Sequence, residues 1–330
     1  MKFLVLTACA ALGLCWESLS LAQTASKGSG QAYPAKPVRM IVGFATGGVN
    51  DIMARAMSGP LSAQLGQAVI VDNRPGANST IGADLVAKSP PDGYTIFITG
   101  TPFTINASAY PKLPYDTLRD FAPVTQLATG TFILVVHPAL PVKTVRELIA
   151  LAKRRPGELN FCSSGQGSAP QLMGELLKLQ TGIAMTHVPY KGAGPCVVDL
   201  LGGHIQLTFE AMAPLLPHVK AGRLRILAVM SDKRSPVVPD IPTIEQATGI
   251  SGLSAGTWYG IVAPASTPRA AINRLNAAFV NVVSEPKMRQ WLADQGLDPV
   301  TGSPEELGAL LQSEVAKWAR VVKAANVSIQ

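Results

Sequence analysis

The sequence predicts an α/β fold in two lobes, each a mostly parallel sheet flanked by helices, with a cleft between the lobes. Three observations carry this. Short, nearly all-apolar runs alternate along the chain with runs whose apolar residues recur at helical spacing, the signature of buried parallel strands and covering helices. Glycine-rich loops that leave a strand and enter a helix occur once in each half, where open α/β sheets place their clefts. A chain of 330 residues is too long for one small core, and 47% hydrophobic against 15% charged residues is the composition of a folded, core-rich protein.

The first 22 residues read as an export signal. Lys2 is the positive start, Phe3 to Leu14 the apolar stretch, and Ser20-Leu21-Ala22 a small-x-small cleavage site. Lipoprotein processing at Cys15 is the alternative, although Leu14 is large for that position. No later apolar run is long enough to cross a bilayer, so the mature chain is expected to be soluble in the periplasm.

The alternation starts with Val38 to Phe44 as a strand, followed by a helix with Ile52, Met53, Ala56, Leu61 and Leu65 at helical spacing and a stop at Gly66. Ala68 to Val71 is a strand, Asn73 to Gly76 a turn, Ile81 to Lys88 a helix, and Tyr94 to Thr99 a third strand after the Ser89–Gly93 turn. The second stretch opens with the strand Phe132 to Val136. Thr144 and Glu147 form a capping box, and that helix ends at Pro156-Gly157. Leu159 to Cys162 is a strand, and Ser168 with Gln171 opens a helix carrying Leu172, Met173, Leu176 and Leu177. Met185 to Val188, Ile205 to Phe209 and Leu224 to Met230 are strands, with a short helix from Gly194 to Leu201. The last third holds the strand Trp258 to Val262 and two helices. The first carries Ile272, Leu275, Phe279 and Val283; the second opens on a Ser303–Glu306 box.

Charge and motif content narrow the chemistry. The formal net charge is +7, but the basic residues are scattered without interleaved aromatics, which argues against a nucleic-acid partner. Four histidines, His137, His187, His204 and His218, have no metal-site spacing, there is no H-E-x-x-H, and no cofactor is called for. After cleavage two cysteines remain, Cys162 and Cys196. They are open to two readings: one disulfide in an oxidising compartment, or two small buried residues.

Two loops carry the chemistry, Gly43-Phe44-Ala45-Thr46-Gly47-Gly48 and Cys162-Ser163-Ser164-Gly165-Gln166-Gly167-Ser168. Glycines let backbone approach a ligand, amides at a helix start favour an anion, and hydroxyls add donors without charge. Neither is a phosphate loop. As a pair they form a pincer for a carboxylate; separately each is also an ordinary turn, with Ser168 used as a helix cap.

Many segments, in order along nearly the whole mature chain, resemble the Bug (TctC-like) family of tripartite tricarboxylate transporter receptors. Among them are Gly47-Gly48 with Asp51 and Ala54-Arg55, Asn73-Arg74-Pro75-Gly76-Ala77, Pro91-Asp92-Gly93-Tyr94 and Asp120-Phe121-Ala122-Pro123-Val124. Ser163-Ser164-Gly165, His187-Val188-Pro189-Tyr190-Lys191-Gly192, Asp199-Leu200-Leu201-Gly202-Gly203 and Trp258-Tyr259-Gly260 follow. The resemblance implies a two-lobed periplasmic binding protein fold, with a small organic acid as ligand and membrane transporter subunits as partners; the chain is expected to be a monomer. Lobe 1 is expected at residues 33–126 plus 252–330 and lobe 2 at 127–251. The family's carboxylate-holding positions map onto Phe44, Ala45, Thr46, Gly47 and Gly48 and onto Ser163, Ser164, Gly167 and Ser168, with Thr101 at a cleft-facing strand end. Tyr190 and Glu210 are candidates for reading the far end of the ligand. An acidic Glu210 there disfavours a second carboxylate and favours an amino or hydroxyl group. The sequence departs from the family pattern at Val49-Asn50, at Gln171 and at Cys162 and Cys196.

Two other readings stay open. An exported hydrolase of small acids or esters would use Ser163, Ser164 or Ser168 as nucleophile with His187 as base. A receptor that senses its ligand without transporting it would share every feature above.

Overall fold

Strand β1 (Val38–Val42) alternates its side chains between two cores. Val38, Met40 and Val42 enter one, and Ile41 the other, so both faces are covered, as a parallel strand requires. The computed structural model describes residues 33–324. The expected signal at 1–22 and the alternative at Cys15 lie outside the described residues. β1 leads to α1 (Val49–Leu65), β2 (Val69–Asn73), α2 (Thr80–Ala87), β3 (Thr95–Gly100), α3 (Thr101–Ala109) and the long β4 (Phe121–Val136). Then come α4 (Val145–Arg154), β5 (Asn160–Ser163), α5 (Ala169–Thr181), β6 (Thr186–Pro189), α6 (Ala193–Leu201), β7 (Leu207–Ala211), α7 (Met212–Lys220), β8 (Arg225–Val229) and α8 (Ile244–Thr248). β9 (Gly256–Pro264), α9 (Arg269–Ser284), α10 (Pro286–Asp294), β10 (Leu297–Pro299) and α11 (Pro304–Ala324) complete the chain.

The strands join in the order β2-β1-β3-β9-β4-β7-β5-β6, with β8 and β10 also pairing β4. Parallel pairing holds β2, β1 and β3 together in one half and β6, β5 and β7 in the other. The long β4 and β9 run antiparallel between them. β4 belongs to both halves. As far as Thr131 it pairs with β9 and β10, and from Phe132 onward with β7 and β8. Its last residues again alternate, with Leu134 and Val136 in the large core and Ile133 and Val135 in a second one with Leu200 and Leu215.

The strand and helix sequence expected from periodicity is present, and so are the punctuating residues. Gly66 ends α1 with φ 71° and its amide on the Ser62 carbonyl, and Ser303 and Glu306 cap α11 reciprocally. At α4 the Thr144 hydroxyl takes the Glu147 amide, but the Glu147 carboxylate takes the amide of Lys143, one residue before the cap. Four helices (α3, α7, α8 and α10), the short β10 and the first half of β4 were not anticipated. The first part of β4 contains Pro123, beside a register shift, and proline inside a run argues against a strand. α7 contains Pro217. α3 buries Phe103, Ile105 and Asn106 alike, so it has no apolar stripe to detect. α10 follows α9 across a single residue, Glu285.

Cys162 and Cys196 are joined in a disulfide, which settles the two readings left by the sequence. It ties Cys162 in β5 to the fourth residue of α6, 34 positions away. Closing a loop of that length restricts the unfolded chain by about 4 kcal/mol on a chain-entropy basis. The double replacement Cys162→Ala/Cys196→Ala is therefore expected to lower unfolding free energy by roughly that amount in urea titrations. Equal stability of the double variant and the oxidised parent would show that the bond constrains nothing.

Candidate functional site

The first glycine-rich loop leaves β1 and enters α1, and a buried carboxylate fixes its shape from below. Asp51, in the first turn of α1, accepts hydrogen bonds from the Gly47 amide at 3.0 Å, Arg55 Nε at 2.9 Å and Asn73 Nδ2 at 3.0 Å. Asn73 also donates to the Phe44 carbonyl at 3.0 Å. Gly47 holds φ 85°, a conformation that side chains rarely adopt.

The second loop leaves β5 and enters α5. Ser163 Oγ lies 2.7 Å from His187 Nε2 and 3.0 Å from the Gly165 carbonyl. The Gly167 amide is held by Gln171 Oε1 at 2.6 Å. Ser168 heads α5, yet its hydroxyl caps nothing; it is wholly buried and has no protein partner.

The two loops line one cleft, and the first also meets the chain at the start of α6. The Ala45 amide donates to the Lys191 carbonyl at 3.0 Å, joining the first loop to the segment before α6. A Cβ on Gly194 would overlap the Thr46 carbonyl oxygen, so only glycine permits this approach. Around the contact lies a cleft with about 510 Å3 of empty space, its mouth included. Its walls come from both halves: Phe44, Gly100, Pro102 and Tyr259 on one side, Ser164, Pro170, Ala193 and Glu210 on the other, with Phe132 where β4 passes between them.

Five helices begin at this cleft. Gly48 and Gly100, the caps of α1 and α3, line it, as do Ala169 and Ala193, the first residues of α5 and α6, and Ala211, the cap of α7. None of the five has its first-turn amides capped by a side chain of the cap residue. The partial positive charges of five helix starts therefore converge on one space, an arrangement that attracts an anion.

Of the residues expected at a site, Phe44, Gly48, Ser164 and Glu210 line the cleft. Ala45, Thr46 and Gly47 are not among its wall residues; they meet the chain at the start of α6, with the Ala45 and Gly47 amides already used within the protein. Ser163 and Gly167 hold the shape of the second loop, and Ser168 stands at its exit. Two of the expected residues lie off this wall. Thr101 is wholly buried and spends its hydroxyl on Thr257 Oγ1 at 3.0 Å and the Trp258 amide, so Thr257 takes its place on the wall. Tyr190 packs beside the disulfide and donates its hydroxyl to Asp199 of α6, away from the cleft. Sequence reasoning missed Asn50, Pro102, Phe132, Thr257 and Tyr259 as wall residues. Asn50 was visible only as a departure from the family pattern, and the rest lie in β4, in β9 or in the first turn of α3, where spacing along the chain did not tell which way they face.

Among the described residues, Glu210 is the one ionisable carboxylate, and the one acid or base of the Asp, Glu, Lys, Arg and His kinds, on the wall. It is 3% exposed; Oε2 accepts from the Ala211 amide at 3.3 Å, and Oε1 has no partner. Burial pushes its carboxyl up to about 7, against the opposing pull of Ser164 and the Ala211 amide. His187 is pushed down to about 4 by burial and by Lys178. A carboxyl raised on folding binds more protons in the folded state between its unfolded and folded values, so it withdraws stability as pH rises from the ordinary carboxylate range to about 7. Glu210→Gln is expected to remove that loss: its melting temperature relative to the parent rises by several degrees between about pH 5 and pH 8. A difference that stays constant over this range would mean that Glu210 titrates as an ordinary surface carboxylate.

Residues 53–327 match the family model described as the tripartite tricarboxylate transporter family receptor. BugT of Bordetella pertussis is 37% identical over 314 residues, covering 94% of this chain and 96% of that one. The periplasmic binding protein BugD superimposes with a TM-score of 0.87 at 31% identity, covering 90% of this chain and all of that one. Rpa4515 of R. palustris, solved with adipate, superimposes with a TM-score of 0.86 at 36% identity, covering 90% of this chain and 99% of that one. With a two-lobed α/β architecture and a cleft at five helix starts, the chain belongs to the tripartite tricarboxylate transporter receptor family.

Proposed function

We propose that the protein captures a small organic carboxylate in the periplasm and delivers it to the membrane subunits of a tripartite tricarboxylate-type uptake system. The observation that carries this is the convergence of five uncapped helix starts, from both halves, on one cleft with otherwise mostly apolar walls. Uncharged amides grip an anion without a fixed counter-charge, which suits a receptor that must also release it. The adipate bound to Rpa4515 supports a carboxylate as the ligand class.

The halves act as lobes, 33–126 with 252–330 and 127–251, turning about the two crossings near β4 and the segment before β9. The Ala45–Lys191 hydrogen bond and the Gly194 contact then belong to the closed form. Export through the 1–22 signal brings the chain to its compartment, and it works as a monomer.

The protein catalyses no reaction. Ser163 is wholly buried and engaged by Gly165 and His187, and among the described residues no carboxylate hydrogen-bonds His187 to orient it as a base. Gly252-Leu253-Ser254-Ala255-Gly256 has the G-x-S-x-G spacing but leads into β9, whereas a nucleophile elbow joins a strand to a helix.

A panel of small mono- and dicarboxylates, sugars and divalent metals is expected to raise the melting temperature only with carboxylates. Gly194→Val, which bars the closed contact, is expected to abolish that rise while leaving the unliganded melting temperature within a few degrees. A rise with sugars or metals and none with any organic acid would refute the assignment.

A further inference from the structure

The cleft holds two buried acceptors with nothing to accept from. Glu210 Oε1 and Asn50 Oδ1 make no hydrogen bond within the protein, although the residues are 3% and 6% exposed, and both residues line the cleft, one from each half. A buried acceptor left unmade is costly, and two of them in one cleft call for a group with several N–H or O–H donors. Such a group stands close to the carboxylate cradle, because Ser164 of the second loop lines the same cleft as Glu210. The remaining wall is largely apolar: Phe44, Val49, Pro102, Phe132, Pro170 and the ring of Tyr259.

We infer that the ligand is an α-amino acid with an apolar side chain, its carboxylate at the helix starts, its ammonium between Glu210 and Asn50, and its side chain against the phenylalanines and prolines. This rests on the receptor reading above and adds the ligand's second group. An ammonium offers three donors and a positive charge, so it satisfies both acceptors and lets Glu210 ionise beside a bound carboxylate. A hydroxyl offers one donor. A second carboxylate offers none and is repelled by an ionised Glu210.

The sign of the pH dependence follows. Glu210 is held near 7 by burial when the cleft is empty, and an ammonium partner favours the ionised form, so affinity rises with pH through that range. The other groups around it do not compete. Tyr259 on β9 stays protonated because burial raises it, His187 on β6 is neutral above about 4, and Asp51 below the first loop is paired with Arg55.

The test is calorimetric titration of the full mature protein, refolded from denaturant to strip any bound molecule. The probes are L-leucine, 2-hydroxy-4-methylpentanoate and 4-methylpentanoate, which share one skeleton, with the valine and alanine sets treated alike and adipate and malate alongside. The amino acid of at least one set is expected to bind about tenfold to a hundredfold tighter than its unsubstituted acid. Its binding is expected to be about thirtyfold weaker at about pH 5.5 than at about pH 8. Glu210→Gln, checked for an unchanged fold by circular dichroism, is expected to erase both the preference and the pH slope, and Asn50→Ala to reduce the preference. Tightest binding of adipate or malate, or affinity that strengthens as pH falls, would overturn the amino-acid inference and leave the carboxylate receptor standing. An unsubstituted acid that matches its amino acid, or an unaltered ratio in Glu210→Gln, would overturn it equally. Failure of every acid in the panel would overturn both.

Discussion

Five helices begin on one cleft with no cap side chain taking their first amides, and the rest of the site is arranged around that fact. Each helix start leaves backbone donors that must be met by a side chain, water or a ligand. Here the cap positions are Gly48, Gly100, Ser168, Gly192 and Ala211, and no cap side chain supplies an acceptor. A single helix start favours an anion by about 0.3–1 kcal/mol at an exposed site and more when partly buried. Several aimed at one point make an anion the natural occupant. Glu210, the one carboxylate on the wall among the described residues, supplies part of that negative charge from within and thereby shapes what the ligand can carry beside its carboxylate.

The scaffold keeps these starts in register by rigid, mostly backbone means. Asp51 braces the first loop through Gly47, Arg55 and Asn73. Gln171 and His187 brace the second through Gly167 and Ser163. The Cys162–Cys196 bond anchors α6 to β5, so the start of α6 and the second loop move as one. Between the halves the contact is backbone against backbone, Ala45 to Lys191, with Gly194 admitting the Thr46 carbonyl. Side chains are thus left free to define the cavity wall instead of holding the loops.

Most of the fold could be read in the sequence because its strands are buried on both faces and its helices begin with clear signals, as at Val38–Val42 and Ser303–Glu306. What escaped did so for local reasons. Pro123 disguised the first half of β4, the strand that joins the halves, and α3 is buried nearly all round. At the site, the two glycine-rich loops were legible because turn chemistry is local. The wall was not. Whether Thr101 or Thr257 faces the cleft depends on how β9 packs against α3, and the direction of Tyr190 depends on Asp199 of α6, which accepts its hydroxyl. Ser168 carried two readings in the sequence, cap or ligand contact, and its hydroxyl is not used as a cap.

If uncapped helix starts grip the ligand, they grip its charge. The tightest-binding acid can be compared with its own primary carboxamide, which keeps the shape and removes the negative charge. Calorimetry should find the carboxamide bound about a hundredfold more weakly or not at all. Equal affinity of acid and carboxamide would contradict the account.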